Sequence, residues 1–197
     1  DPFQSAMGLY MVHRMEGDTE KAEEALAAAE KLNPDDPRIV SASFQRAIQN
    51  EDWEKAKTVA EKAGQLDLDN AQGLFWQARL LIARNKLKEA ADTLELALER
   101  RPLFSEGWRL QGDVYRMLGE LIAAENAYQE AIHLKPDNAI AWFNLHLVHE
   151  QRGYAQRALE DLRQARKLMP RSDRIYAAYL AFLSRHDKPA ALAERIK

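Results

Sequence analysis

Between Ser105 and Asn138 the apolar and small residues fall at helical rather than strand spacing. Trp108, Gln111, Gly112 and Tyr115 recur at i, i+3, i+4 and i+7, which puts them on one face of a helix. Gly119 predicts a turn, and Ala124, Tyr128 and Ala131 predict the inner face of a second helix. Pro136 ends that helix, and Asp137 and Asn138 are suited to cap the next. The pattern then repeats. Ala22, Ala56, Ala90, Ala124 and Ala158 lie 34 residues apart, as do Ala29, Ala63, Ala97, Ala131 and Ala165. Pro34, Leu68, Pro102, Pro136 and Pro170 form a third series with one departure, at Leu68. Three series in phase predict a chain of helix pairs, with small alanines where two backbones must approach.

Composition agrees. The chain of 197 residues is 46% hydrophobic and 30% charged, with only 8 Gly and 7 Pro. Ala, Leu, Glu, Lys and Arg dominate, which favours helix. With no cysteine, disulfides, thiolate metal sites and cysteine nucleophiles are excluded. A net charge of −3 argues against general nucleic-acid binding, which needs a basic footprint. No apolar run reaches the roughly 18 residues of a membrane span, so no direct membrane insertion is expected. The compartment stays open between cytoplasm, the default, and periplasm. The start at Asp1 without methionine is read as a piece of a longer or processed protein. Ordering one repeat costs roughly 50 kcal/mol at about 1.5 kcal/mol per residue, so a lone pair is not stable and neighbours must share buried faces.

With Trp108, Gly112, Tyr115, Ala124, Tyr128, Ala131 and Pro136 in place, the chain resembles the tetratricopeptide repeat family, whose pattern is W-x2-L-G-x2-Y, then A-x3-F, A and P. Trp142, Leu145, Ala158, Ala165 and Pro170 continue it, and earlier units are looser. The resemblance implies an all-α, right-handed α-solenoid of stacked antiparallel helix pairs. It implies a single array over 1–197, with repeats at 3–36, 37–70, 71–104, 105–138 and 139–172 and a partial sixth at 173–197. In the sixth, Ala191 and Leu192 best match Ala158 and Leu159.

The segment His146-Leu-Val-His149-Glu150 invites a metal or catalytic reading. Zinc sites usually need three or four protein ligands, and the protease order H-E-x-x-H places the glutamate between the histidines. In register, His146 stands where the family has glycine and His149 where it has tyrosine, both facing the second helix of their own pair. Glu150 is placed on a different face. The segment is therefore read as packed, hydrogen-bonded histidines. With no phosphate loop and no nucleophile elbow, neither enzyme activity, metal nor cofactor is expected of this chain.

The resemblance also implies a concave groove lined by first helices. Its places hold Met7, Met11, Arg14 and Met15, then Arg38, Ser41, Gln45 and Gln49. They continue as Gln72, Phe75, Trp76 and Arg79, then Glu106, Arg109, Asp113 and Arg116, then Phe143, Asn144, Leu147 and Glu150, and finally Arg174. Peptide binding is assigned to Phe75, Trp76, Arg79, Arg109, Asp113, Arg116, Phe143, Asn144, Leu147 and Arg174, because aromatic and arginine residues anchor interfaces. Trp76 and Phe143 are equally suited to packing between units. A family clamp for chaperone tails, laid on this register, meets Arg109, Asp113, Asn144, Arg174 and Ala178. Asp113 would repel a carboxylate and Ala178 lacks a cation, so that specific ligand is disfavoured. An acidic or carboxylate-bearing segment still suits the arginines, with Asp113 orienting Arg109 or Arg116.

The expected function is thus a protein–protein interaction scaffold for a protein or peptide ligand. The alternative is a repeat segment of a larger enzyme or of a secretion or assembly protein, positioning a substrate. RNA reading would need a regular polar code on each unit, which the irregular groove lacks. The first unit carries 3 Lys/Arg against 8 Asp/Glu and the fifth 6 against 3. Opposite charge at two open ends makes self-association a further expectation, beside the plainer reading of solvated outer faces.

Overall fold

Aspartates and asparagines at the expected boundaries start the helices. The Asp1, Asp18, Asp36, Asp52 and Asn138 side chains each accept a backbone N–H from the first turn that follows, satisfying donors that a helix leaves open. The computed structural model describes residues 1–67 and 70–186. Leu68, and the correspondence drawn for Ala191 and Leu192, lie outside the described residues. Eleven helices and no strand are present among the described residues.

The chain divides into two compact units, Asp1–Asn85 and Lys86–Lys197. Unit 1 contains α1 (Pro2–Glu16), α2 (Thr19–Leu32), α3 (Pro37–Gln49), α4 (Trp53–Gln65) and α5 (Ala71–Ala83). Unit 2 contains α6 (Leu87–Arg100), α7 (Ser105–Leu118), α8 (Leu121–Leu134), α9 (Ala139–Gln151), α10 (Ala155–Leu168) and α11 (Asp173–His186). Within each unit every helix packs on the next in sequence, which is the organisation of an α-solenoid. None of the described helices is long and apolar enough to cross a membrane.

Both alanine series lie at the helix contacts, none of the ten more than 4% exposed. The ring of Tyr128 lies over Gly112, where a Cβ would come within 2.7 Å of it. The turn inside each pair repeats as well. Gly17, Glu51, Asn85, Gly119 and Gly153, spaced 34 residues apart, all have positive φ, from 54° to 81°. Glycine takes this conformation freely, whereas Glu51 and Asn85 adopt it at a cost.

Candidate functional site

The two histidines of α9 are buried, His146 1% and His149 4% exposed. His146 Nδ1 donates to the Ala158 carbonyl on α10 at 3.0 Å. Burial holds its pKa below the usual imidazole value, against the opposing pull of that carbonyl and of Glu150. His149 lies between two buried carboxylates. Its Nδ1 is 2.5 Å from Asp161 Oδ2 on α10, and its Nε2 is 3.3 Å from Glu125 Oε1 on α8. Burial raises the Asp161 carboxyl to about 6, although its bond to His149 pulls the other way. Glu125 is also paired with Arg152. The placement of Glu150 needs correction: its Oε2 is 3.8 Å from His146 Nε2, because residues four apart share a helix face. Glu150 is turned towards α11, where Arg185 donates to it at 2.6 Å. Among the described residues no group of three or more His, Asp and Glu is arranged to hold a metal ion.

Sequence reading missed Asp161 and Glu125. Asp161 left a signal, since its register equivalents Ala25, Val59, Thr93 and Ala127 are uncharged. A lone acid in an inner-face series needs a partner.

In unit 2, Asp113 is a node. Its Oδ2 is 2.5 Å from Arg109 Nη1, and its Oδ1 accepts from the Tyr128 hydroxyl and from Asn144 Nδ2, each at 2.7 Å. Burial first, then the Asp113 charge and bond, push the Tyr128 hydroxyl far above its ordinary pKa. Arg109 is thus oriented and largely neutralised by Asp113. Arg116 has a buried Nε with no hydrogen-bond partner. Phe143 and Asn144 are buried and Leu147 is partly buried. Arg174 is exposed, its guanidinium lying 4.9 Å from the centroid of the Phe143 ring.

In unit 1, Phe75 and Trp76 are buried. Trp76 packs against Phe44 at 4.8 Å, and Arg79 lies 4.7 Å over the Trp76 ring while donating to Gln45 Oε1 at 3.2 Å. These large rings serve the core between successive pairs. A groove of ≈ 780 Å³ opens between α1 and α3, lined by residues that include Met7, Met11, Arg14, Arg38, Gln45 and Gln49.

Family models recognise the same periodicity. One described as "Tetratricopeptide repeat" matches residues 47–114, and one described as "TPR repeat" matches residues 112–153. The chain belongs to the tetratricopeptide repeat family. Tetratricopeptide repeat protein 33 of Xenopus laevis is 30% identical over 88 residues, 45% of this chain and 34% of that protein. Its Homo sapiens counterpart is 27% identical over 94 residues, 48% of this chain and 36% of that protein. The chain therefore spans about a third of the length of these relatives. Among solved structures, a thermophilic tetratricopeptide repeat protein of Thermus thermophilus superposes with a TM-score of 0.75 at 19% identity, covering 92% of this chain and 98% of that one. The first repeat domain of Spaghetti, bound to the HSP90 peptide SRMEEVD, gives a TM-score of 0.58 at 16% identity, covering 60% of this chain and 94% of that one. Both likenesses concern the fold. This tetratricopeptide repeat fold is in general a scaffold for protein–protein interaction, and in the family pattern Gln111 occupies the place of a leucine.

Proposed function

We propose that this tetratricopeptide repeat chain is a non-catalytic scaffold that holds a peptide or partner segment along its first helices, and that the segment met by unit 2 is acidic. The observation that carries this is the uneven pairing of the groove arginines. Arg109 is neutralised by Asp113. Arg116 and Arg174 have no carboxylate partner among the described residues, and Arg174 is exposed over Phe143. Unpaired guanidinium groups favour carboxylates, which they bind through two parallel hydrogen bonds. In unit 1 the groove with Met7 and Met11 adds an adaptable apolar surface, with Arg14 and Arg38 in its lining.

A labelled SRMEEVD peptide, its C-terminal amide and a lysine-substituted control test this by fluorescence anisotropy. Binding should favour the acidic peptides, weaken with salt, and fall more in Arg174→Glu than in Arg109→Glu. If neither acidic peptide binds saturably, or Arg174→Glu binds as the unaltered chain does, the acidic-segment reading is wrong.

The same scaffold reading includes self-association through the ends. Leu9 and Val12 on α1 are 53% and 48% exposed, whereas Ser43, Leu80, Val114, Leu145 and Val148 at the register places of these two residues are buried. Sedimentation of the chain against Leu9→Glu/Val12→Glu tests it. A monomer in both cases, at every concentration, removes this part.

A further inference from the structure

Within unit 2, α6, α7 and α8 surround an open cavity of ≈ 420 Å³ that none of the assigned groove residues lines. Its walls include Glu95 and Glu99 of α6, Trp108, Gln111 and Tyr115 of α7, and Asn126 of α8. Trp108, Gln111 and Tyr115 share one face of α7, whereas Arg109, Asp113 and Arg116 lie on another, as helical periodicity requires.

Gln111 is the unexpected residue. It is 5% exposed, yet its side-chain amide has no hydrogen-bond partner among the described residues. At the equivalent place in α9, Leu145 is buried in an apolar cluster with Ala124, Tyr128 and Val148. A leucine would fill the same position, so the fold itself does not call for an amide there; the Gln111 amide is not among the enclosed polar atoms and keeps its opening through the cavity. With no bond among the described residues, the amide is free to meet whatever enters the cavity.

The other walls define that partner's chemistry. Glu95 and Glu99 are one turn apart on α6, exposed, and without an ion-pair partner among the described residues. Like charges at this spacing repel, so a cation between them is favoured. Burial, and then the Glu95 charge, push the Tyr115 hydroxyl above its ordinary pKa, as a nearby carboxylate should. The Trp108 indole N–H is already donated to the Pro102 carbonyl at 2.7 Å. What Trp108 offers a ligand is its ring, and aromatic faces attract guanidinium groups more often than ammonium groups.

We propose that this cavity binds the guanidinium of an arginine side chain presented by a partner protein, with Glu95 and Glu99 accepting its charged N–H groups, the Gln111 carbonyl accepting another, and Trp108 or Tyr115 stacking on its plane. A flat group with five donors matches three converging acceptors and an aromatic wall. The site takes the opposite charge to the acidic segment proposed for the groove, and rests on different residues.

Nuclear magnetic resonance titration of the full chain with N-acetyl-arginine methylamide tests the assignment. The citrulline analogue supplies a neutral isostere and the lysine analogue a different cation. Saturable shifts of the Gln111 side-chain amide and the Trp108 indole N–H are expected with arginine. Citrulline, and the Glu95→Gln/Glu99→Gln variant, should each bind about tenfold or more weakly, the scale of a charge-assisted hydrogen bond. Gln111→Leu should remain folded, melt no lower than the unaltered chain and bind arginine less well. Shifts that do not saturate, equal binding of citrulline, or unchanged binding by the double variant would each overturn the proposal. Lysine binding as tightly as arginine would remove the guanidinium assignment. A lower melting temperature for Gln111→Leu would show that the amide serves the fold.

Discussion

Two glycines inside helices of unit 1 allow a sharp comparison. Gly73 lies in α5, and a Cβ added there would meet Asn70 Oδ1 at 2.3 Å, Gly64 Cα of α4 at 2.5 Å and Gly64 N at 2.9 Å. Gly8 lies in α1, and a Cβ there would meet nothing within 4 Å. Each Gly→Ala change gains about 1 kcal/mol of helix propensity. At Gly8 that gain stands alone. At Gly73 it is opposed by a contact about 1 Å inside the usual carbon–carbon separation of roughly 3.5–4.0 Å. The Asn70 side chain can turn away, but the two Gly64 atoms are backbone, so no rotamer change relieves them, and the helices must part. Overpacking of this kind costs about 1–3 kcal/mol or more. The two variants should therefore diverge in sign, Gly8→Ala stabilised and Gly73→Ala destabilised, with a gap of about 3 kcal/mol at the upper end of that range. In a unit of this size that is a separation of roughly 12–24 °C in melting temperature. Thermal and urea unfolding followed by far-ultraviolet circular dichroism measure it. Gly73→Ala melting at or above the unaltered chain would show that the α4 and α5 backbones are not in contact, and the packing described for unit 1 would fail.

Other expectations follow from single contacts. Glu51 takes φ 54° at a turn where Gly119 and Gly153 take 81° and 79°, so Glu51→Gly should stabilise unit 1 by about 1 kcal/mol, read as a rise in urea midpoint. Asp113→Ala strips the partners of Arg109, Tyr128 and Asn144 at once and should destabilise unit 2 by about 2–4 kcal/mol; a loss under about 0.5 kcal/mol, the scale of a surface change, would mean the node is dispensable. Two pH effects oppose one another in unit 2. Because His146 is held below its ordinary value, the unfolded chain binds a proton that the native chain does not as pH falls through about 6.5, and stability is lost. Because Asp161 is raised to about 6, the native chain protonates it first, and stability is gained between about pH 6 and about pH 4. Melting temperatures across pH should show only the acid-side gain in His146→Gln and only the loss in Asp161→Asn; identical profiles for both would contradict these assignments.

The helix pairs, their turns and their alanine contacts were legible in the chain because each depends on residues within a few turns of one another, repeated five times over. A 34-residue period averages out local exceptions, and a small residue at a close helix crossing is required wherever the crossing recurs. The positive-φ turn at Glu51 and Asn85 was less visible, since neither residue announces it as glycine does. The histidines of α9 could be placed against their own second helix from register alone. Their acidic partners could not all be named, because Glu125 comes from the preceding pair and His149 meets it only after α8 and α9 have packed.

The groove divides along the same line. Helical periodicity said which face of each first helix Trp76, Phe143 and Arg109 occupy. It did not say how deep that face lies, which depends on how closely the next pair approaches. Tertiary packing buried Trp76 and Phe143, turned Asp113 towards Arg109, Tyr128 and Asn144, and left Arg174 in solvent. It also opened the cavity beside Gln111, whose polar side chain looks ordinary until the leucine-like place it fills is seen to be buried. A face is a property of one helix and its period; burial and pairing belong to three helices at once, so they were decided only when the chain had folded.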